Sequence, residues 1–282
     1  MLGTSEVFSM KNISILVNDL TISWDKKCYL DKAKYAFCSA TNNSFIPIMG
    51  ESGSGKSTLL YVLSALKKPV SGYVKWQFPD GKIYINQKNK AYFCDKELKK
   101  NLYIKYFGIT FQDSILLPQF TVDENLRFSL EHTGIKPGEA KKKVNEFINE
   151  IVDTDNHSNS YMLQRYPSQI SVGERQRVAL LQCILHDPYV IFADEPTSNL
   201  DPIKQKEILG LLKKWSEGQL INKNNQESRV LIWVTHRLSD ILYMNKAENK
   251  IVYVENKKLQ PFTIADLEQK GWHSKGLTWE IQ

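Results

Sequence analysis

Nine residues constrain the fold of this chain more than any other stretch: Gly50-Glu51-Ser52-Gly53-Ser54-Gly55-Lys56-Ser57-Thr58. They spell a glycine, four residues, then Gly-Lys-Ser, the pattern of a loop that wraps a nucleotide's phosphates in backbone N–H groups. Glycines are needed because a Cβ would block the close approach and the positive φ angles of such a turn. Lys56 is placed to reach the β- and γ-phosphates, and the Ser57 hydroxyl to ligate Mg²⁺. The apolar run Phe45-Ile46-Pro47-Ile48-Met49 precedes the loop, and Leu59-Leu60-Tyr61-Val62-Leu63, with helical potential, follows it. Strand, loop, helix is the context this motif requires, and it aims the positive helix end at the anion. A plain Gly/Ser-rich turn would need neither flank.

At 282 residues the chain can bury a full core, as one large domain or a domain with a subdomain. Its 42% hydrophobic and 24% charged content is that of a soluble globular protein. The net charge of +6 is modest. Its basic residues are spread, and Lys141-Lys142-Lys143 falls in a helix-like pattern with Glu139, Glu146 and Glu150. That is a solvated helix face, so no nucleic-acid partner is expected. Cys28, Cys38, Cys94 and Cys183 form no CxxC pair, which suits a reducing compartment. Met1 to Asn12 carries no long apolar stretch, so no secretory signal is expected, and no run of about 18 apolar residues predicts a membrane span.

In chain order, residues 13–24 partly alternate apolar and polar and read as an edge of sheet; a strand from Cys28 to Cys38 and a turn at Asn42-Asn43 follow. The helix after the phosphate loop is expected to break at Lys67-Lys68-Pro69. Gly72–Phe78 and Lys82–Ile85 flank Pro79-Asp80-Gly81 as a hairpin. Ile104–Phe111 reads as a strand with Gln112 at its end. Thr121-Val122-Asp123-Glu124 opens a helix with a capping box, and a polar loop interrupts the helical region at Asp153–Ser160. Tyr189–Ala193 is apolar without alternation, as in a strand buried on both faces of a parallel sheet. Arg229–Thr235 repeats that pattern, Lys250–Glu255 is expected as the last strand, and Glu217–Ser228 reads as a polar surface insertion. Strands alternating with helices predict an α/β fold, with an antiparallel β portion and an inserted helical subdomain.

Asp194 closes a buried apolar strand, where an Mg²⁺-binding carboxylate would face the phosphate loop, and Glu195 beside it can polarise a water. His236 ends another such strand and is placed to meet a γ-phosphate. Gln112 could touch both Mg²⁺ and the attacking water. Ser171-Val172-Gly173-Glu174 fits a capping box, so it starts a helix whose N-terminus is also an anion site.

The ordered set of these motifs resembles the ABC-type ATPases, with Phe111-Gln112-Asp113, Ile170 to Arg177, Val190 to Pro196, Ser198-Asn199-Leu200-Asp201 and Thr235-His236 following the phosphate loop. The similarity runs across about residues 12–260, and Ala193 to Asp201 and Phe111 to Pro118 look most like the ATPases of lipoprotein-releasing and macrolide-exporting transporters. The resemblance implies a P-loop NTPase core, mostly parallel sheet flanked by helices, at about 12–112 and 187–260. It implies a helical subdomain at about 113–186 and a C-terminal extension at about 261–282, all in one ATPase domain.

It implies Gly50 to Thr58 as the Walker A loop, Gln112 as the Q-loop glutamine, and Asp194 and Glu195 as the Walker B aspartate and catalytic glutamate. His236 would be the switch histidine, and Trp24 the aromatic that stacks on adenine. ATP and Mg²⁺ are the implied ligands. A second ATP-binding subunit is implied too, closing head to tail so that Ser171, Gly173 and Glu174 meet ATP across the interface. The implied membrane partner is a polytopic permease on another chain, received near Ser114-Ile115-Leu116-Leu117-Pro118, which would place this chain on the cytoplasmic face of a membrane. A soluble ABC protein acting on nucleic acid or the ribosome, or a slow regulatory ATP-binding unit, is the alternative; the former usually has tandem cassettes or long coiled coils. The signature departs from the family's Leu-Ser-Gly-Gly-Gln at Ile170, Val172 and Glu174, and Gln182 stands where the family usually has arginine.

Overall fold

The computed structural model describes residues 12–38, 45–88, 102–151, 161–198, 200–220, 229–244 and 251–272. The expected turn at Asn42-Asn43, the loop at Asp153–Ser160, most of the 217–228 insertion, Cys94 and Asn199 lie outside these residues.

Two sheets divide the strands by chemistry. β1 (Ser14–Trp24), β2 (Lys27–Cys38), β4 (Ser71–Gln77) and β5 (Ile83–Gln87) form an antiparallel sheet in the order β2-β1-β4-β5. β3 (Phe45–Gly50), β6 (Phe107–Thr110), β7 (Val190–Asp194), β8 (Val230–Val234), β9 (Ile251–Glu255) and β10 (Lys258–Phe262) form the second, in the order β10-β9-β3-β8-β7-β6. All neighbours in the second sheet are parallel except β9 and β10.

Every residue of β7 and β8 is buried, and the period of two explains why neither strand alternates with polar residues. Val190 and Phe192 pack toward the antiparallel sheet and helix α1 (Lys56–Leu63), while Ile191 and Ala193 pack against the helices of the opposite face. That second layer comprises α2 (Val122–His132), α3 (Pro137–Ile151), α4 (Val172–Ile184), α5 (Pro202–Ser216), α6 (Leu238–Met244) and α7 (Ile264–Gln269). Between β6 and β7 the described regular elements are all helical. Thr121 caps α2 with the capping box read from sequence.

Four expectations need correction. β1 is interior, paired with β2 on one side and β4 on the other; its outward polar residues had suggested an edge. Ile104 to Tyr106 belong to a π-helical turn, Leu102–Tyr106, because Leu102 and Tyr106 turn into the core before β6 begins. α1 stops at Leu63, a turn before Lys67-Lys68-Pro69, where Ser64 caps it and Ala65 takes a φ of 59°. β9 is followed by β10 across Asn256 and Lys257, whose φ values of 49° and 60° make the primed two-residue hairpin. Pro261 lies within β10, which is the sheet's edge, where a proline is tolerated.

Candidate active site

The parallel sheet brings three strand ends to one place. Ile48 of β3 and Asp194 of β7 both pair with Val234 of β8, so the phosphate loop, Asp194-Glu195 and Thr235-His236 emerge side by side. This is the carboxyl edge of a parallel sheet, where ligands of such folds bind.

The phosphate loop has the geometry its glycines foretell. A Cβ on Gly50 would lie 2.6 Å from the Val254 carbonyl oxygen, and one on Gly55 would lie 2.6 Å from Tyr29 Cβ. Both positions, with Gly53, have positive φ, so even alanine would be strained as well as crowded. Gly55 is the N-cap of α1 and supplies no side chain to cap it, leaving the first N–H groups aimed outward as an anion site. Lys56 is buried, and its Nζ donates to the carbonyls of Gly50 at 3.1 Å and Glu51 at 2.7 Å. Burial pulls its pKa down, while the charges of Glu195 and Asp194 push it back up. Ser52 is exposed at the rim, Thr58 lies half-buried in the first turn of α1, and Lys27 Nζ reaches across from β2 to the Gly53 carbonyl at 3.2 Å.

A second cluster closes the floor. Ser57 Oγ donates to Asp194 Oδ1 at 3.0 Å across 137 residues of sequence. Tyr61 Oη donates to Asp194 Oδ2 at 3.0 Å. Glu195 sits in a left-handed conformation, φ 48°, and its carboxylate lies 3.0 Å from His236 Nε2. Burial, then the charge of Lys56, lowers the pKa of His236 against the pull of Glu195.

The residues present fit a nucleotide with Mg²⁺. The ungated helix end, the glycines whose Cβ atoms would fill the cradle, and the buried Ser54 hydroxyl with no partner are the donors a phosphate would take. A buried carboxylate already bonded to the loop's serine is a hard oxygen ligand set for Mg²⁺.

Other expected residues stand apart from this centre. Gln112 is exposed two residues beyond β6, at the same sheet edge. Trp24 is 54% exposed at the β1–β2 hairpin, with Lys67 Nζ 3.0 Å above its ring. Ser171 and Glu174 bond each other, and Gly173 lies against α5. Ser171 N–H donates to Glu174 Oε2 at 2.7 Å, and a Cβ on Gly173 would meet Lys204. Val172 is the first residue of α4 and has no positive φ, so it carries no backbone strain. Arg175 does not face Glu174; it donates to the carbonyls of Pro167 and Ile170.

Three contacts went unread in the sequence. Tyr61 lay hidden in an apolar helical run. The ring of Trp272 stacks beside His236, with centroids 6.3 Å apart and planes at 17°. Thr197 donates to the buried Asp240 of α6, bracing the segment after Glu195. Only the Thr-Ser-Asn-Leu-Asp run offered any signal for the last.

With this geometry in place, the comparisons with known proteins become specific. The family model described as ABC transporter matches residues 38–198, more than half of the chain. The chain belongs to the ABC transporter family. It is an ATPase of the ABC type. The lipoprotein-releasing system ATP-binding protein LolD of Aquifex aeolicus is 34% identical over 199 residues, covering 71% of this chain and 82% of that protein. The cell division ATP-binding protein FtsE of Bacillus subtilis is 32% identical over 212 residues, 75% of this chain and 80% of that one. The methionine import ATP-binding protein MetN 1 of Enterococcus faecalis is 30% identical over 250 residues; the match covers 89% of this chain but 61% of that protein's length. Among solved structures, a dimeric bacterial ABC transporter cassette superposes with a TM-score of 0.67 at 25% identity, covering 89% of this chain and 98% of that one. A dimeric cassette in a post-hydrolysis state bound to ADP and Pi superposes with a TM-score of 0.68 at 24% identity and shows the shared fold. Among the described residues no helix is long and apolar enough to cross a membrane.

Proposed function

We propose that this chain is the ATP-hydrolysing subunit of a membrane transporter, working as one of a pair of cassettes beneath a permease on another chain. One observation carries the reading: residues far apart in sequence meet as two bonded pairs, Ser57 with Asp194 and Glu195 with His236, beside a phosphate-binding loop. The cassette comprises the α/β core with its antiparallel sheet, a helical subdomain at about 113–186 and a C-terminal extension from about residue 261.

Lys56 leaves its own loop carbonyls to bind the β/γ-phosphates, and the N–H groups of Gly53 to Thr58 hold the remaining oxygens. Ser57, Asp194 and Gln112 would hold Mg²⁺, which neutralises phosphate charge and orients the leaving group. Glu195 accepts a proton from the attacking water, whose oxygen forms the new bond to the γ-phosphorus as the β–γ bridge breaks. His236 fixes the Glu195 carboxylate through Nε2 and turns toward the γ-phosphate on closure. Trp24 offers adenine the ring face that Lys67 leaves free. The capped N-terminus of α4, with Ser171, Gly173 and Glu174, faces the phosphates held by the second cassette.

A mostly apolar groove of about 560 Å³ runs between β6 and the helices α2 and α4, lined by Phe111, Ile115, Phe128, His132 and Gln182. It is the docking place for a segment of the permease, which holds the chain on the cytoplasmic face of the membrane. Affinity capture of the tagged chain from detergent-solubilised membranes tests this. A stoichiometric polytopic protein is the expected companion; a soluble chain in the ribosomal or nucleic-acid fraction would overturn the transport reading.

A further inference from the structure

Asp194 is buried to 4% exposure, and each of its carboxylate oxygens has its own hydroxyl donor. Ser57 takes Oδ1 and Tyr61 takes Oδ2, both at 3.0 Å. The two donors are four residues apart on α1 and therefore share a face. Phosphate-loop chemistry explains Ser57 but gives Tyr61 no task. The ring of Tyr61 lies 6.0 Å, centroid to centroid, from that of Phe111, which immediately precedes Gln112 and lines the apolar groove.

From this geometry we propose that Tyr61 is a positioning residue: its hydroxyl fixes the rotation of the Asp194 carboxylate, and its ring links that rotation to the segment entering Gln112. The proposal rests on the reading of Asp194 as a holder of Mg²⁺. A carboxylate turns about a broad, roughly two-fold torsion, so one anchored oxygen leaves the group free to swing. A second anchor removes that freedom and keeps Oδ1 with Ser57, whose hydroxyl shares the metal site. A neutral donor also withdraws a little charge from the carboxylate, which by itself would weaken a metal bond. In a buried group the orientation matters more, because no water stands ready to replace the lost donor.

The test is Mn²⁺ binding to the full chain with a non-hydrolysable ATP analogue, read by electron paramagnetic resonance. Wild type, Tyr61→Phe, Asp194→Asn and the double variant are compared, with metal-free analogue binding as the measure of an intact fold. Tyr61→Phe is expected to weaken Mn²⁺ binding about ten- to a hundredfold, the scale of losing the partner that orients a metal-binding carboxylate, while metal-free binding holds. In the Asp194→Asn background the same substitution should add nothing. If Asp194→Asn binds Mn²⁺ like wild type, the metal reading fails and the proposal with it. If Asp194→Asn weakens binding but Tyr61→Phe matches or exceeds wild type, or still weakens the Asp194→Asn background, only the Tyr61 proposal is overturned. Should Tyr61→Phe lose metal-free binding, Tyr61→His, which keeps a ring donor, must bind Mn²⁺ more tightly than Tyr61→Leu; equal affinities would overturn the proposal.

Discussion

Asp194 and Glu195 are neighbours in sequence with opposite environments, and the contrast supports the different tasks proposed for them. Asp194 completes a buried strand with both oxygens bonded, whereas Glu195 turns out of the sheet at φ 48° and meets the imidazole of His236. Holding a non-glycine residue left-handed costs about 1–3 kcal/mol, offset here by the Glu195 N–H bond to the Val234 carbonyl. The most sensitive residue beyond these is Lys56. Lys56→Ala should abolish hydrolysis and lower nucleotide affinity by about 2–4 kcal/mol, the value of one lost preorganised charge on a phosphate. Equilibrium binding of a fluorescent ATP analogue measures it, and unchanged affinity would refute the loop assignment. Gly55→Ala should weaken binding comparably, because its Cβ would overlap Tyr29.

These residues were legible because each carries a fixed chemistry at a fixed strand end. Tyr61 and Trp272 were not: an aromatic within an apolar run reads as core, and nothing local says that its polar tip reaches a carboxylate or that its ring meets a histidine.

At the scale of elements, α4 accommodates the altered signature within an ordinary helix start. Glu174 turns its carboxylate back to the Ser171 N–H, which holds its pKa below the usual range. Val172 begins the helix in ordinary conformation. Val172→Gly therefore relieves no backbone strain and should cost about 0.5–1 kcal/mol of stability through glycine's entropy. Because the folded pKa of Glu174 is depressed, its contribution is complete above the unfolded value of about 4.3 and is lost as pH falls through the folded one. The stability gap between wild type and Glu174→Gln, measured by urea denaturation, should accordingly be present at pH 7 and close in acid.

The carboxy-terminal hairpin and α7 escaped sequence reading because two left-handed residues, Asn256 and Lys257, replaced the familiar glycine turn. They are nonetheless part of the core. Leu267 is fully buried, and Leu267→Ala should cost about 2–5 kcal/mol by the same denaturation measurement.

The whole molecule is two layers of packing on one parallel sheet, and sequence revealed that sheet better than its surroundings. β7 and β8 announced themselves as apolar runs without alternation, since both faces are covered. The antiparallel sheet was harder, because β1 presents outward polar residues yet is paired on both edges. The placement of α4 was visible only through family resemblance: Gly173 at its capped end lies against Lys204 and Leu200, and the Glu174 carboxylate turns back to Ser171. The proposed function has that end meet the phosphates held by a second cassette. The decisive measurement is the mass of Glu195→Gln in solution, by size-exclusion chromatography with light scattering, with ATP and Mg²⁺ or with ADP. Loss of the base should slow turnover about a hundredfold or more while leaving ATP bound. The variant should then run as a dimer with ATP and a monomer with ADP, at protein concentrations high enough for association. A monomer under both conditions, or wild-type turnover by the variant, would contradict the account.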